Sequence, residues 1–266
     1  MPRATWSGSI TFGLVSVPVK LHPAIHKNDI RFHLLSREGG YRLRNKLYCP
    51  ETGEEFQVAQ AARGFEISPG EHVMIEEEEL AQLRPRGSRT IEIIDFVDLD
   101  QIDPIHFNRP YYVAPDDEEG QGYRLLLQAL ADTGKVGIAR FIMQGREHLA
   151  AIRPLDGVLC LELMHFSDEV VDAREVPGLP VEGAVPLREL EMARRLIGAL
   201  ASDFEPQRYR AEHRERVLEL IERKAAGRPV TGPADAEPPP HDMSLARALE
   251  ESLHRVQRPA RRRRTA

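Results

Sequence analysis

The N-terminal part of the chain contains the sequence WSGSITFGLVSVPVKL at residues 6–21. Apolar residues alternate there in two sets, which are Ile10, Phe12, Leu14 and then Val15, Val17, Val19, Leu21. A period of two is the pattern of a strand with one face in a core. The change of phase between residues 13 and 15 predicts a β-bulge. The fold is therefore expected to begin with β-structure.

Six more strand-like stretches follow this opening. They lie at residues 72–75, 90–97, 111–114, 136–143, 148–153 and 158–165, with Gly, Pro and Asp turn signals between them. So many short strands are typical of a barrel or a sandwich. One helix is predicted at residues 121–133, with Gly134 as its C-terminal stop.

The pattern changes to helical spacing near residue 186, and Pro206 divides the following residues between two helices. Residues 229–241 hold five prolines, a composition that suits an extended linker. A last short helix is predicted at residues 244–256, before an arginine-rich end. The predicted domains are a core at residues 1–185, a helical arm at 186–228, a linker at 229–241, and a short helix with a basic tail at 242–266.

The charge of the chain is unevenly distributed. The formal net charge is −6, but five arginines stand in the last nine residues, and removing them leaves −11 on residues 1–257. Attraction to phosphate is the main term in sequence-independent DNA binding. Any DNA-binding surface on the main body must therefore be a local basic patch. Two such segments occur, at residues 31–48 and 84–89.

Arg42, Arg44 and Lys46 alternate within the first basic segment. On an extended strand their side chains would line one face, which fits a phosphate backbone, because phosphates are held by positioned cations without base contacts. A solvated strand edge guarded by charge has the same pattern. The spacing alone leaves both interpretations open.

Signatures of enzymes and metal sites are incomplete. Residues 8–13 have the glycine spacing of a phosphate loop, but Leu14 and Val15 replace the required Lys and Ser/Thr. Cys49 begins a knuckle-like turn whose second thiol position is Thr52, and a structural zinc site needs about four ligands. We therefore predict a non-enzyme with no catalytic residue, metal or cofactor.

The sequence predicts neither a membrane protein nor a secreted one. It has no run of about 18 apolar residues, which a membrane-spanning helix would need. The first residues lack the apolar stretch of a secretory signal. We expect a cytoplasmic protein.

Several ordered motifs resemble the Ku family in its short bacterial form. They are WSGSI at residues 6–10, VPVKL at 17–21, IRFH at 30–33, IDPIHFNRPYYVAP at 102–115, REHLAA at 146–151 and DFEP at 203–206. The resemblance covers about residues 3–228 and stops before the linker. Thr52 departs from the cysteine knuckle of some family members.

The resemblance implies a mainly β fold with α: a Ku-core β-barrel with an extended bridge, followed by a helical C-terminal arm. Two such chains would form a DNA-encircling ring. The implied function is sequence-independent binding of double-stranded DNA ends in non-homologous end joining, with protection of the ends and recruitment or stimulation of an ATP-dependent DNA ligase of the ligase D type.

Specific residues are expected at each surface. The residues of the main body are expected at DNA because of the resemblance, and those of the tail because of its composition. The residues expected at DNA are Lys20, Arg31, Arg42, Arg44, Lys46, Arg84, Arg86, Arg89, Arg146, Arg261, Arg262, Arg263 and Arg264. Those expected at the homodimer interface are Leu187, Leu190, Ile197, Leu200, Tyr209, Val217 and Ile221.

A second hypothesis is a protein-interaction module. It would hold a partner through the apolar stripe of the last helix and use the arginine tail for loose contact with nucleic acid. In either case the Pro-rich linker would let the last helix and the tail search a volume around the main body.

Overall fold

The structure is a computed structural model that describes residues 3–82, 89–117, 120–179, 183–228 and 244–257. The strands, in chain order, are β1 (Trp6–Phe12), β2 (Val15–Pro23), β3 (Leu47–Tyr48), β4 (Glu55–Phe56), β5 (Arg63–Ser68), β6 (Glu71–Ile75), β7 (Thr90–Asp98), β8 (Phe107–Pro115), β9 (Lys135–Met143), β10 (Arg146–Leu155) and β11 (Val158–Met164). The helices are α1 (Glu77–Gln82), α2 (Gln121–Thr133), α3 (Leu187–Leu200), α4 (Glu212–Ala225) and α5 (Leu245–Gln257). They fall into two units, Met1–Glu175 and Val176–Ala266.

Seven strands close into a barrel in the order β1-β2-β8-β11-β10-β9-β7. Every neighbouring pair is antiparallel except β1 and β7, which run parallel. An odd number of strands cannot alternate direction all the way round, so one parallel pair has to close the circle. Closure leaves the barrel no free sheet edge. The prediction of a mainly β fold with a barrel is confirmed.

The predicted β-bulge near residue 13 was wrong. Phe12 pairs with Val15, so β1 and β2 form a hairpin with a two-residue turn. Gly13 takes the left-handed backbone conformation that this turn needs, with φ of 57°. The phase of the apolar pattern changes because paired residues face the same side. Ile10 lies opposite Val17, which moves the inward positions from even to odd numbers.

Two further hairpins are set by their turn residues. Gln144 and Gly145 join β9 to β10 with φ of 53° and 78°, and Asp156 and Gly157 join β10 to β11 with φ of 49° and 80°. Positive φ at both central residues is the type I′ geometry, whose twist matches that of the paired strands. These turns set the registers of β9, β10 and β11.

The core fills the barrel, and helix α2 contributes to it. Tyr123, Leu126 and Leu130 of α2 are buried in one cluster with the inward residues of the strands. The Tyr123 hydroxyl donates to the Val113 carbonyl and accepts from the Leu159 amide, both at 2.8 Å, and so links β8 to β11. This buried environment raises the pKa of Tyr123. The predicted helix at residues 121–133 is confirmed.

The end of the barrel at which β1 and β7 begin is called the Trp6 end. The Trp6 indole packs edge-on against Phe141, with ring centroids 5.6 Å apart. Its Nε1 donates to the Ile142 carbonyl at 3.1 Å. This contact ties β1 to β9, which lies on the far side of β7 in the strand order.

The second unit is helical within its described residues. Helices α3 and α4 are separated by a short 3₁₀ turn at Pro206–Arg208, as the position of Pro206 predicts. Tyr209 lies outside both helices and stacks on Phe204, with ring centroids 5.5 Å apart. None of the described residues of this unit is buried. No helix in the described parts of the chain is both long and apolar enough to cross a membrane.

Candidate nucleic-acid interface

The connection between β2 and β7 leaves the barrel at the Trp6 end and returns to it there. Residues 24–89 are called the bridge segment. It contains two hairpins, β3 with β4 and β5 with β6, and the short helix α1. None of its described residues, 24–82 and 89, is buried. The described part of the bridge segment therefore has no hydrophobic core of its own.

Large apolar side chains of the bridge segment face solvent. Six are at least 64% exposed, namely Phe32, Leu34, Tyr41, Val58, Phe65 and Met74. Exposed apolar side chains are typical of interaction sites where they form a contiguous patch. Sequence reasoning missed these residues because their spacing follows neither the strand nor the helix period over more than a few positions. The only signal in the sequence was the number of large apolar residues in a stretch without a regular strand or helix pattern.

Charge is divided along the bridge segment. Residues 24–48 hold six Lys or Arg and two acids, a net charge of +4, whereas residues 49–82 hold one Arg and nine acids, a net charge of −8. A polyanion is attracted to the first part and repelled by the second. The candidate surface for nucleic acid is therefore residues 24–48.

The extended strand on which Arg42, Arg44 and Lys46 would line one face does not form. Arg42 forms an isolated bridge with Leu35, and residues 43–46 belong to no strand. The segment folds back on itself instead, since the Leu43 amide donates to the Leu34 carbonyl at 2.9 Å. This loop turns at Gly39 and Gly40, both with positive φ. The three cations are exposed, but no common strand face aligns them.

The candidate cations differ in whether an acid already neutralises them. Lys46 pairs with Glu55 at 2.5 Å across the β3–β4 hairpin, and Lys20 pairs with Asp116. Within the described ranges, Arg31, Arg42 and Arg44 are exposed and have no acidic partner within ion-pair distance. These three arginines are therefore available to phosphate, as are the exposed Lys27 and Arg37, which likewise have no ion pair among the described residues.

The β3–β4 hairpin contains the knuckle-like turn. The Cys49 amide donates to the Glu54 carbonyl and the Gly53 amide to the Cys49 carbonyl, both at 3.0 Å. Hydrogen bonds from Thr52 lower the pKa of the Cys49 thiol. Among the described residues there is no cluster of three or more His, Cys, Asp or Glu that could hold a metal ion.

An open cleft of about 360 Å³ lies at the Trp6 end of the barrel. Its lining consists of Thr5, Trp6, Ser7, Arg89, Ile142, Gln144 and Gly145. Arg146 follows this lining directly, as the exposed first residue of β10. The β9–β10 turn thus brings Arg146 to the same barrel end as Arg89, although the two are 57 positions apart in the sequence. The structure brings together these two predicted DNA-binding residues.

Other predicted DNA-binding residues cannot be placed. Arg84, Arg86 and the tail arginines Arg261, Arg262, Arg263 and Arg264 lie outside the described residues. The predicted linker, residues 229–241, lies outside them as well.

The residues predicted at a dimer interface lie in the second unit. Leu187, Ile197, Leu200 and Tyr209 are each more than 60% exposed. Leu190 and Val217 are half-buried, and Ile221 is 40% exposed. Within the described part of this unit, these apolar side chains are not enclosed by their own chain. The structure contains one chain, so the interface itself stays a prediction.

Known proteins similar to this chain agree with the barrel. A family model described as the Ku70/Ku80 beta-barrel domain matches residues 11–191. A non-homologous end joining protein Ku of Anaeromyxobacter is 44% identical over 97% of this chain and 87% of its own length. Those of Bacillus subtilis and Archaeoglobus fulgidus are 35% and 36% identical, each over 96% of this chain and over 83% and 99% of their own lengths.

The family match runs from the end of β1 through the other barrel strands and the bridge segment to the start of α3. Identity above 30% over nearly whole chains does not arise without common descent and a common fold. The chain belongs to the Ku family.

Proposed function

We propose that the chain binds the ends of double-stranded DNA without regard to sequence, as a homodimeric ring, in non-homologous end joining. One observation carries the proposal: the bridge segment leaves and rejoins the barrel at one end, none of its described residues is buried, and its first part is strongly basic. A segment of this kind is stable only against a partner. The relatives are named for end joining, which identifies that partner as DNA.

The arrangement of cations favours contacts to phosphate rather than to bases. Arg31, Arg42 and Arg44 lie on loops, and in the described residues no helix or two-stranded ribbon presents them to a groove. Phosphate contacts position a protein on the duplex and carry no sequence information. Such binding suits a repair factor that has to accept any broken end, and it needs neither catalysis nor a cofactor.

The ring requires a second copy of the chain. Ile197, Leu200 and Tyr209 of the arm are too exposed for a stable isolated unit, and self-association in a twofold pair would cover them. In this proposal residues 1–185 form the core with the bridge, 186–228 the dimerisation arm, 229–241 the linker, and 242–266 the last helix with the tail.

Recruitment of an ATP-dependent ligase of the ligase D type completes the proposal. End joining needs a sealing enzyme, and the tail beyond the family match is the part of the chain free for that task. We place the protein in the cytoplasm at the nucleoid, where its DNA substrate lies.

The test is competition between linear and closed circular DNA at matched phosphate concentration. A ring that loads over an end should be displaced from a labelled blunt duplex by linearised plasmid and not by the covalently closed form. Charge density is the same in both competitors, so phosphate attraction alone predicts equal displacement. Blocking both ends of the labelled duplex with a bulky protein should stop binding. If the covalently closed and the linearised plasmid compete equally well, the ring is refuted.

A further inference from the structure

The last helix, α5, lies against the arm helix α3. These two helices are the only pair in the described part of the second unit with extensive contact. Arg188 of α3 and Glu250 of α5 form an ion pair at 3.3 Å across the contact. Both side chains are mostly exposed, so this pair orients the helices more than it stabilises them.

The apolar stripe of α5 faces the contact. Ala248, Leu249 and Leu253 are half-buried, although no residue of the second unit is fully buried in its described part. Leu245, at the start of the same helix, is 63% exposed. The middle of α5 is therefore covered, and α3 is the helix that covers it.

Helix α3 has a covered part and an open part. Its half-buried residues are Glu189, Leu190, Met192, Ala193 and Leu196. Ile197 and Leu200, in its last turn, are 69% and 61% exposed. Ile197 lies on the same side of the helix as the half-buried Leu190 and Ala193, so the open part continues the covered part along the helix towards its C-terminal end.

Helix α5 has little stability of its own. It has 13 residues, and isolated helices shorter than about 12–15 residues are marginal in water. Tertiary packing of an amphipathic face supplies most helical stability in such cases. The helical state of α5 therefore depends on the surface of α3.

We propose that α3 carries a helix-binding surface around Met192 and Leu196 that α5 of the same chain occupies, separate from the surface around Ile197 that a second copy covers. A partner protein that binds the leucine stripe of α5 must first displace α3. The tail arginines then follow a helix that is anchored on the arm, and the seven positions from Gln257 to Arg264 span at most about 25 Å. The separation of the two surfaces rests on the proposed dimer, whereas the docking of α5 does not.

The experiment is hydrogen–deuterium exchange of the full chain, followed by mass spectrometry of peptides from α3 and α5. In the unaltered protein, α5 amides should exchange at least about tenfold more slowly than in an unstructured peptide, because they open only when α5 detaches. Leu196→Glu should abolish the protection of α5 without changing its sequence. Leu249→Glu should do the same while α3 keeps its own exchange rates, which excludes general unfolding of the arm.

Ile197→Glu is the matched control, because it places the same charge one residue away on the open surface. It should leave α5 protected. Light scattering on the same samples reports the oligomeric state, so failure of the dimer and failure of the docked helix are read separately. Unprotected α5 in the unaltered chain, or protection that survives Leu196→Glu, would overturn the proposal. Loss of α5 protection in Ile197→Glu would also overturn it, since α5 would then dock across the dimer.

Discussion

Reversing Arg42 and Arg44 to glutamate should weaken the binding of duplex DNA and flatten its salt dependence. These arginines are exposed on a loop and, among the described residues, have no acidic partner. Lys46 is left unchanged because Glu55 already neutralises it. The substitutions remove no buried contact, so the fold should be unaffected.

The magnitude follows from counterion release. Each phosphate contact contributes about 0.9 to the slope of log K against log salt concentration. Two arginines in each of two subunits make four contacts, so the slope should fall by about 3.6. Between about 50 and 200 mM salt, the unaltered protein should therefore lose roughly two more decades of affinity than the variant.

Fluorescence anisotropy with a labelled blunt duplex, titrated at several salt concentrations, measures this slope. Two duplexes of unrelated sequence should give the same change, because phosphate contacts do not read bases. Arg124→Glu is the control, since it reverses an exposed charge on α2, away from the bridge segment. A double variant with the slope and affinity of the Arg124→Glu protein would show that DNA does not contact residues 42–44.

Three further predictions test the core, the arm and the tail. Tyr123→Phe should destabilise the barrel by about 1–3 kcal/mol in chemical denaturation, because the buried Val113 carbonyl and Leu159 amide lose their partner. Burial raises the pKa of Tyr123, so its neutral side chain favours folding below the unfolded pKa near 10. The free energy of unfolding of the unaltered protein should therefore fall as the pH rises above that value. It should fall less in the variant, which has no hydroxyl at this position. Ile197→Glu should yield monomers in light scattering and lose end binding, and a stable dimer would place the interface elsewhere. Deleting residues 232–266 should leave end binding intact in a gel-shift assay but impair ligation with the cognate ligase, and full ligation activity would make the tail dispensable.

The sequence predicted the basic segment, but it did not predict which of its cations pair with an acid. The excess of five Arg or Lys over one acid, Glu38, in residues 31–48 is visible in the sequence. Whether an acid neutralises each cation depends on chain folding. Glu55 reaches Lys46 only because β3 and β4 form a hairpin, and Asp116 reaches Lys20 only because β8 pairs with β2. The position of Arg89 and Arg146 at the same end of the barrel likewise depends on tertiary structure.

By itself, the sequence determined the mainly β fold, the helix at residues 121–133 and the break at Pro206, because alternation, helical spacing and proline act over a few neighbouring residues. It did not determine how strands distant in the chain meet. The closing pair of β1 and β7, the Tyr123 link between β8 and β11, and the docking of α5 on α3 were decided only by the tertiary structure. Even the phase change near Gly13 had two solutions, a bulge and a hairpin. The tertiary structure contains the hairpin, in which Ile10 pairs with Val17 and both lie in the core.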